Sequence, residues 1–306
     1  MLSPDPKDFS ISTIIVTHNS SDEIGACLES VISQSENPPA EIIVVDNASS
    51  DATPGIVHSF SKEHDNVAVL QNDANHGFTK ANNQGVQRAE GEYIFFLNPD
   101  TVLKKNALQA LTGEISRNRG IGAIAPQLRF TDRTVQSSCR RFPGYRWIIF
   151  EMLGLTRLFP NSHFFNGWKM GDFDHQSPRM VDQPAGAALM VRRSTLTELG
   201  GLDEQFPMFF SDVDLCRRIW DIGKKILFYP DAVVFHEGGT SIRRNRLKMI
   251  VTSHLSFIRY LFKHHQRVWE ILMNVLVSVL LLTTMILRVA FVTLFPWAKV
   301  RRRSVL

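Results

Sequence analysis

The chain has little cysteine. Cys27, Cys139 and Cys216 are the three in 306 residues, an odd number with no CxxC spacing. That argues against a disulfide framework or a cysteine-ligated zinc site, and a reducing compartment fits best. An apolar run near the N-terminus is also missing. Residues 1–10 are polar and carry Pro4 and Pro6, so no secretory leader is read there and the main domain is expected to stay in the cytoplasm. Internal repeats and low-complexity tracts are absent. With 44% hydrophobic and 21% charged residues the chain is not disordered, and it is long enough for one large α/β domain plus an appendage, or for two domains. The net charge of +4 is uneven, with much of the excess around Arg243 to Lys248, Arg259 to Arg267 and Lys299 to Arg303. These clusters flank an apolar segment, and the α/β part has no basic stripe interleaved with aromatics. Anionic lipid therefore fits as a partner and nucleic acid does not.

Hydrophobic patterning predicts strands and helices in alternation. Buried strands are expected at Ile11–Thr17, Glu41–Asp46, Val67–Leu70, Tyr93–Leu97 and Ile121–Ala125. Helices are expected after Ser20 and Glu23, spaced as a capping box, to about Gln34; from Thr53-Pro54; over Phe78–Ala89; and over Lys104–Arg117. Such alternation implies a mostly parallel sheet with helices on both faces. Residues 127–182 read as irregular and aromatic-rich. A strand is expected at Ala185–Val191, a helix at Asp212–Ile222, and one or two short strands at Ile226–Phe235.

In doubly wound sheets ligands bind at the carboxyl ends of the strands. Thr17-His18-Asn19, Asp46-Asn47-Ala48-Ser49-Ser50-Asp51 and Asn98-Pro99-Asp100 end three strands and should share one rim. Asp46 either caps its turn or accepts a hydrogen bond from a pyrimidine base. Asp100 either caps the helix after it or, beside Asn98, serves a hard divalent cation that shares a substrate diphosphate. Asn75-His-Gly-Phe78, with Asn82-Asn83-Gln84-Gly85, forms an amide-rich helix start, and Gly77 permits close approach or positive φ. It either cradles a nucleotide or sugar or is turn chemistry alone. Asp212 and Asp214 open a helix after an aromatic run. They either favour its dipole or place one carboxylate as a general base. His236 ends a β-rich run before Glu237-Gly238-Gly239, where it is either a structural histidine or a metal or diphosphate contact.

In this order the motifs resemble family 2 inverting glycosyltransferases of the GT-A fold, nearest the rhamnosyltransferase-like branch of bacterial surface-polysaccharide synthesis. The resemblance spans roughly residues 10 to 240 and also includes Gly186-Ala-Ala-Leu-Met-Val-Arg192, Gly200-Gly-Leu-Asp203 and Phe210-Ser-Asp-Val-Asp-Leu-Cys216. It implies that Thr17, Asn19 and Asp46 hold the nucleoside. Asn47, Asn75, Gly77, Phe78, Asn82 and Asn98 would complete the nucleotide-sugar site. It implies Asp100 and His236 as ligands of Mg²⁺ or Mn²⁺, with Asn98 at the first position of the DxD-type motif. Asp212 would be the base, with Ser211 where relatives often have Glu. Asp214, Arg243 and Arg244 would lie near the acceptor or diphosphate. The donor would be a nucleoside-diphosphate sugar, dTDP-rhamnose or a UDP-hexose, and the acceptor a glycan or a lipid-linked sugar.

The expected division is a catalytic domain over 1–240, a basic helical linker over 241–267 and a hydrophobic segment with a basic tail over 268–306. Val268 to Leu287 has only Glu270 as an ionisable residue. Its 20 residues match a bilayer core of about 30 Å as a helix. Basic residues on both sides oppose a single span. Glu270, Asn274, Ser278 and Arg288 share one stripe, which favours a hairpin or an in-plane helix on the cytoplasmic face. The alternative is a buried helix of a soluble oligomer.

Overall fold

The computed structural model describes residues 10–34, 38–238 and 245–295. Two compact units result: Met1–Glu204 with Asp212–Glu237, and Gln205–Ser211 with Gly238–Leu306. The first is built on a nine-stranded sheet among the described residues. Its strands are β1 (Ile11–Thr17), β2 (Glu41–Asp46), β3 (Val67–Gln71), β4 (Tyr93–Leu97), β5 (Thr101–Leu103), β6 (Ile121–Arg129), β8 (Arg179–Met180), β10 (Ala188–Arg192) and β11 (Lys225–His236). A separate ribbon pairs β7 (Cys139–Arg140) with β9 (Gln183–Pro184). The main order is β3-β2-β1-β4-β10-β6-β11-β5, with β8 on β11.

β1, β2, β3 and β4 pair in parallel, as do β6 and β11. β10 runs against both β4 and β6, so those two strands share a direction. β5 and β8 also run antiparallel to β11. The sheet is thus mostly parallel, as expected, but mixed. β1 is buried along its whole length, its Ser12, Thr13 and Thr17 included, as a strand covered on both faces should be. Alternate residues feed two layers, Ile11, Ile15, Tyr93 and Phe95 on one face and Ile14, Val16, Ile94 and Phe96 on the other.

The helices of this unit are α1 (Ile24–Ile32), α2 (Thr53–Glu63), α3 (Phe78–Arg88), α4 (Ala107–Ser116), α5 (Tyr145–Met152), α6 (Leu155–Leu158), α7 (Arg193–Leu199) and α8 (Ser211–Asp221), whose first residue belongs to the second unit. The capping box expected at Ser20 and Glu23 does not form. Ser20 closes the turn with its carbonyl, which accepts from Glu23 N and Ile24 N, and the helix starts at Ile24. The segment read as irregular holds α5, α6 and a cluster in which Phe150, Phe159, Phe164 and Phe165 meet with centroids 4.8–5.4 Å apart. All three cysteines are free and buried, and burial pushes the Cys27 and Cys139 thiols up to about 12. They carry no thiolate chemistry.

In the second unit, the helix Arg246–His264 packs on the helix Val268–Leu294. Asn274, Val277, Ser278 and Leu281 are buried, and Asn274 Nδ2 donates to Leu261 O and His265 O. The hairpin option is therefore not realised over these residues. The polar stripe faces the neighbouring helix, because Asn274 satisfies the carbonyls that end it. The Gln205–Ser211 segment also packs here. Phe210, at φ 67°, lies 4.7 Å from the Phe257 ring and 5.5 Å from Tyr260, while Arg259 donates to Gln205 O. The expected basic tail lies outside the described residues.

Arg218 ties α8 to the turn after α7. It pairs at 2.8 Å with the fully buried Asp214 and donates to Leu199 O and Gly201 O. Arg218→Met removes the counter-charge of a buried carboxylate, so unfolding in urea should show a loss of about 3–5 kcal/mol.

Candidate active site

Strand direction brings the polar turns together. β1 and β2 end side by side, Thr17 opposite Asp46, and Asn47 N donates to Thr17 O. β4 flanks β1 on its other edge and ends one residue before Asn98. Because β10 runs the opposite way, its start lies on this same rim, where Asn98 N donates to Ala187 O at 2.9 Å. β11 finishes here too, with His236 opposite Thr101 and Glu237 N donating to Asp100 O. A larger cavity of about 720 Å³, lined by Ser10, Glu92, Arg192 and Glu198, lies at the other end of the strands, so cavity size does not mark this rim.

The turns after β1 and β2 are stapled to each other. Asn19, at φ 54°, donates its N–H to Ser49 Oγ, and its Oδ1 accepts from Ser50 N at 2.7 Å. Ser21 N and Thr53 N both donate to Asp51. Burial raises the Asp51 carboxyl, but donors from Thr53 and Ser21 outweigh it and bring the pKa down to about 2. Asp46 is fully buried and accepts from Ser49 N, Ser49 Oγ and Gln71 Nε2. Its capping role is realised, and a base would have to take the remaining lone pair or displace Gln71. The Thr17 hydroxyl beside it is buried with no hydrogen-bond partner among the described residues.

Asn47 organises the amide-rich turn. Its Nδ2 donates to Asn75 Oδ1 and Gly77 O, and its Oδ1 accepts from His76 N and Asn72 Nδ2. Gly77 takes φ 90° at the entry to α3, a conformation other residues rarely adopt, and Phe78 comes next. Asn82 Nδ2 donates to Phe78 O. The Asn47 and Asn82 side chains, expected to meet ligand, thus hold the turn that would meet it. Asn75 and Gly77 lie in that turn.

Asp100 and His236 come together as the sequence implied, with Oδ1 to Nε2 at 3.5 Å and both side chains nearly buried. Among the described residues no group of three His, Cys, Asp or Glu surrounds one point. A carboxylate and an imidazole suit a divalent ion that draws further oxygen ligands from phosphate.

Asp212 opens α8. Its Oδ2 accepts from Gly186 N and its Oδ1 from Val213 N, both at 2.9 Å. Burial raises its carboxyl above the ordinary carboxylate range, and these amides pull it only part of the way back. Gly186 was unassigned by sequence reasoning, yet a Cβ there would lie 2.8 Å from Asp212 Cβ and 3.1 Å from Oδ2. The only sequence signal was a glycine just ahead of a buried strand. Ser211 donates its hydroxyl to Met208 O, a turn contact. Asp214, expected near an acceptor, is instead the buried partner of Arg218, because it lies on the inward face of the helix. Arg243 and Arg244 lie outside the described residues.

Asn47→Ala would strand several partly buried turn groups. It should lower stability by about 2–3 kcal/mol. Amide hydrogen exchange should show the His76 N–H losing protection while the β2 amides keep theirs.

The model of glycosyl transferase family 2 matches residues 12–173. An N-acetylglucosaminyl-diphospho-decaprenol L-rhamnosyltransferase of Mycobacterium tuberculosis is 27% identical over 272 residues, 85% of this chain and 86% of that one. Mannosyltransferase PcManGT of Pyrobaculum calidifontis, solved with GDP-Man and Mn²⁺, superposes with TM-score 0.56 at 18% identity, over 97% of this chain and 84% of that one. GalNAc-T7, solved with UDP, GalNAc and Mn²⁺, gives TM-score 0.57 at 20% identity over 74% of this chain, which spans 44% of that one. These structures share the fold, and the match to more than half of the sequence makes the chain a member of glycosyl transferase family 2, an enzyme of sugar transfer.

Proposed function

We propose that this enzyme moves a sugar from a nucleoside-diphosphate sugar to a hydroxyl of a glycan or lipid-linked acceptor, with inversion, during cell-surface polysaccharide synthesis at the cytoplasmic face of a membrane. The observation that carries the reading is the Asp212 carboxylate, fixed by Gly186 N and Val213 N on the rim that also holds Asp100 and His236. Asp212 takes the proton of the acceptor hydroxyl as that oxygen attacks the anomeric carbon. The bond from that carbon to the diphosphate breaks on the opposite face, so configuration inverts and the nucleoside diphosphate leaves with its electron pair. Asp100 and His236 would hold Mg²⁺ or Mn²⁺, which would supply Lewis-acid stabilisation of the leaving diphosphate. Thr17, with its hydroxyl still open, and the turns held by Asn19, Asp46 and Asn47 receive the nucleotide. Asn75, Gly77, Phe78 and Asn98 border the sugar.

Donor identity rests on relatives. The mycobacterial relative is named as an L-rhamnosyltransferase on a decaprenyl-linked sugar, which favours dTDP-rhamnose and a lipid-linked acceptor, and the UDP in GalNAc-T7 keeps UDP-hexoses next. Membrane attachment is supported by Val268–Leu294, about 40 Å long as a helix and exposing Leu272, Leu276, Val279, Ile286 and Leu287. The second reading, a nucleotide-sugar-binding or scaffold protein on this fold, draws on Asn98 and Ser211 at the departures from the family pattern.

Calorimetric titration with UDP-, dTDP- and GDP-sugars, with and without Mn²⁺, tests the proposal. One nucleotide class should bind, and only with metal; no binding of any donor moves the assignment to the scaffold. Asp212→Asn should cut turnover roughly 10²–10⁴-fold while leaving the donor Kd unchanged. A base works deprotonated, so kcat/KM should fall as pH drops, and the raised Asp212 pKa puts that fall above the ordinary value of about 3.9. Gly186→Ala, which displaces the carboxylate, should lower kcat by up to about 10²-fold with donor affinity retained.

A further inference from the structure

His236 presents its two ring nitrogens to different neighbours. Nε2 faces Asp100 Oδ1 at 3.5 Å, and Nδ1 lies 2.9 Å from Gln136 Oε1. An amide oxygen only accepts, so the proton of a neutral imidazole sits on Nδ1 and the lone pair on Nε2. That lone pair then points at a carboxylate oxygen. Two electron-pair donors facing each other at this separation form half of a cation site. The opposite tautomer would aim an N–H at Asp100 and close the site with a hydrogen bond.

The placement of Gln136 arises from the chain. β6 runs into a hairpin in which Phe130 N donates to Thr134 O and Arg129 bridges Val135. Asp132 Oδ1 accepts from both Thr134 N and Thr134 Oγ1, and Arg133 takes φ 68° to make the turn. The return arm is fixed by Gln136 N donating to Leu128 O. β11 lies beside β6 with Phe235 opposite Arg129, and beside β5 with His236 opposite Thr101. The imidazole thus stands between the hairpin, which supplies the acceptor, and the β5 edge, which supplies Asp100.

We propose that Gln136 is a positioning residue that fixes His236 as the Nδ1–H tautomer and thereby prepares Nε2, with Asp100, to bind a divalent cation. The inference rests on the reading of Asp100 and His236 as metal ligands.

The test uses the full chain in detergent, first without metal. Imidazole ¹⁵N shifts, recorded where the ring is neutral, should show His236 protonated on Nδ1. Gln136→Met keeps the side-chain length but removes the acceptor, and should move the proton wholly or partly to Nε2. Gln136→Glu keeps an acceptor and should retain the wild-type tautomer. Binding of Mn²⁺ alone, followed by electron paramagnetic resonance of the free ion, should weaken about 10–100-fold in Gln136→Met and only a few-fold in Gln136→Glu. A wild-type ring protonated on Nε2 overturns the inference. So does a Gln136→Met variant with unchanged tautomer and Mn²⁺ affinity, and if His236→Ala still abolishes binding, the metal assignment survives that failure. Unchanged Mn²⁺ binding in both His236→Ala and Asp100→Asn overturns the metal assignment itself and the inference with it.

Discussion

Parallel pairing of β1 with β2 and β4 is the constraint on which the site depends. Strands that run together must end together, so the residues after Thr17, Asp46 and Leu97 are forced onto one edge. The turns there have backbone groups that helices and strands cannot satisfy, and short polar side chains must do so. Asn19, Ser49, Asp51 and Asn47 meet that need through hydrogen bonds across the turns. The chemistry is then added from elsewhere. An antiparallel strand delivers Gly186, and the end of β11 delivers His236.

The fold works against the ordinary preference of the carboxylate proposed as the base, Asp212. Burial disfavours the Asp212 anion, and the two amide donors leave part of that penalty in place. A carboxylate in that state holds a proton more readily than one in water, which suits the general-base role proposed for Asp212. Gly186 makes this possible because its amide can approach only where no side chain intervenes. Asp214, two residues on, is stabilised by Arg218 and serves packing. One helix turn thus holds two carboxylates in opposite settings, one facing backbone amides and one paired with an arginine.

Much of the fold was legible in the sequence. Tyr93–Leu97 and Glu41–Asp46 are bounded as their apolar runs suggest, because buried strands in a parallel core leave no polar interruptions. The direction of β10 was not legible, since periodicity carries no polarity. Nor were α5 and α6, whose aromatics pack on one another and do not follow a single helical stripe. Asp100 and His236 were expected together from the family resemblance, and the strand ends bring them within 3.5 Å. Gln136 was not, because a lone glutamine in a hairpin has no signature until the hairpin is folded. Asp46 and Asn47 were correctly placed on the rim, but motif reasoning could not reveal that Asn47 spends its side chain holding neighbours.

The packing of Gln205–Ser211 gives the C-terminal helices a second meaning. Phe210 holds an uncommon backbone conformation two residues before Asp212, and the rings that steady it, Phe257 and Tyr260, come from the helix Arg246–His264. A chain cut after Glu237 would keep every strand of the sheet and shed its apolar surface. It would also lose the rings that hold Phe210, and the Gln205–Ser211 segment would be free to relax. Solubility gained by truncation and order over Gln205–Ser211 are therefore in opposition, and a chain without these helices would need other aromatic packing for Phe210.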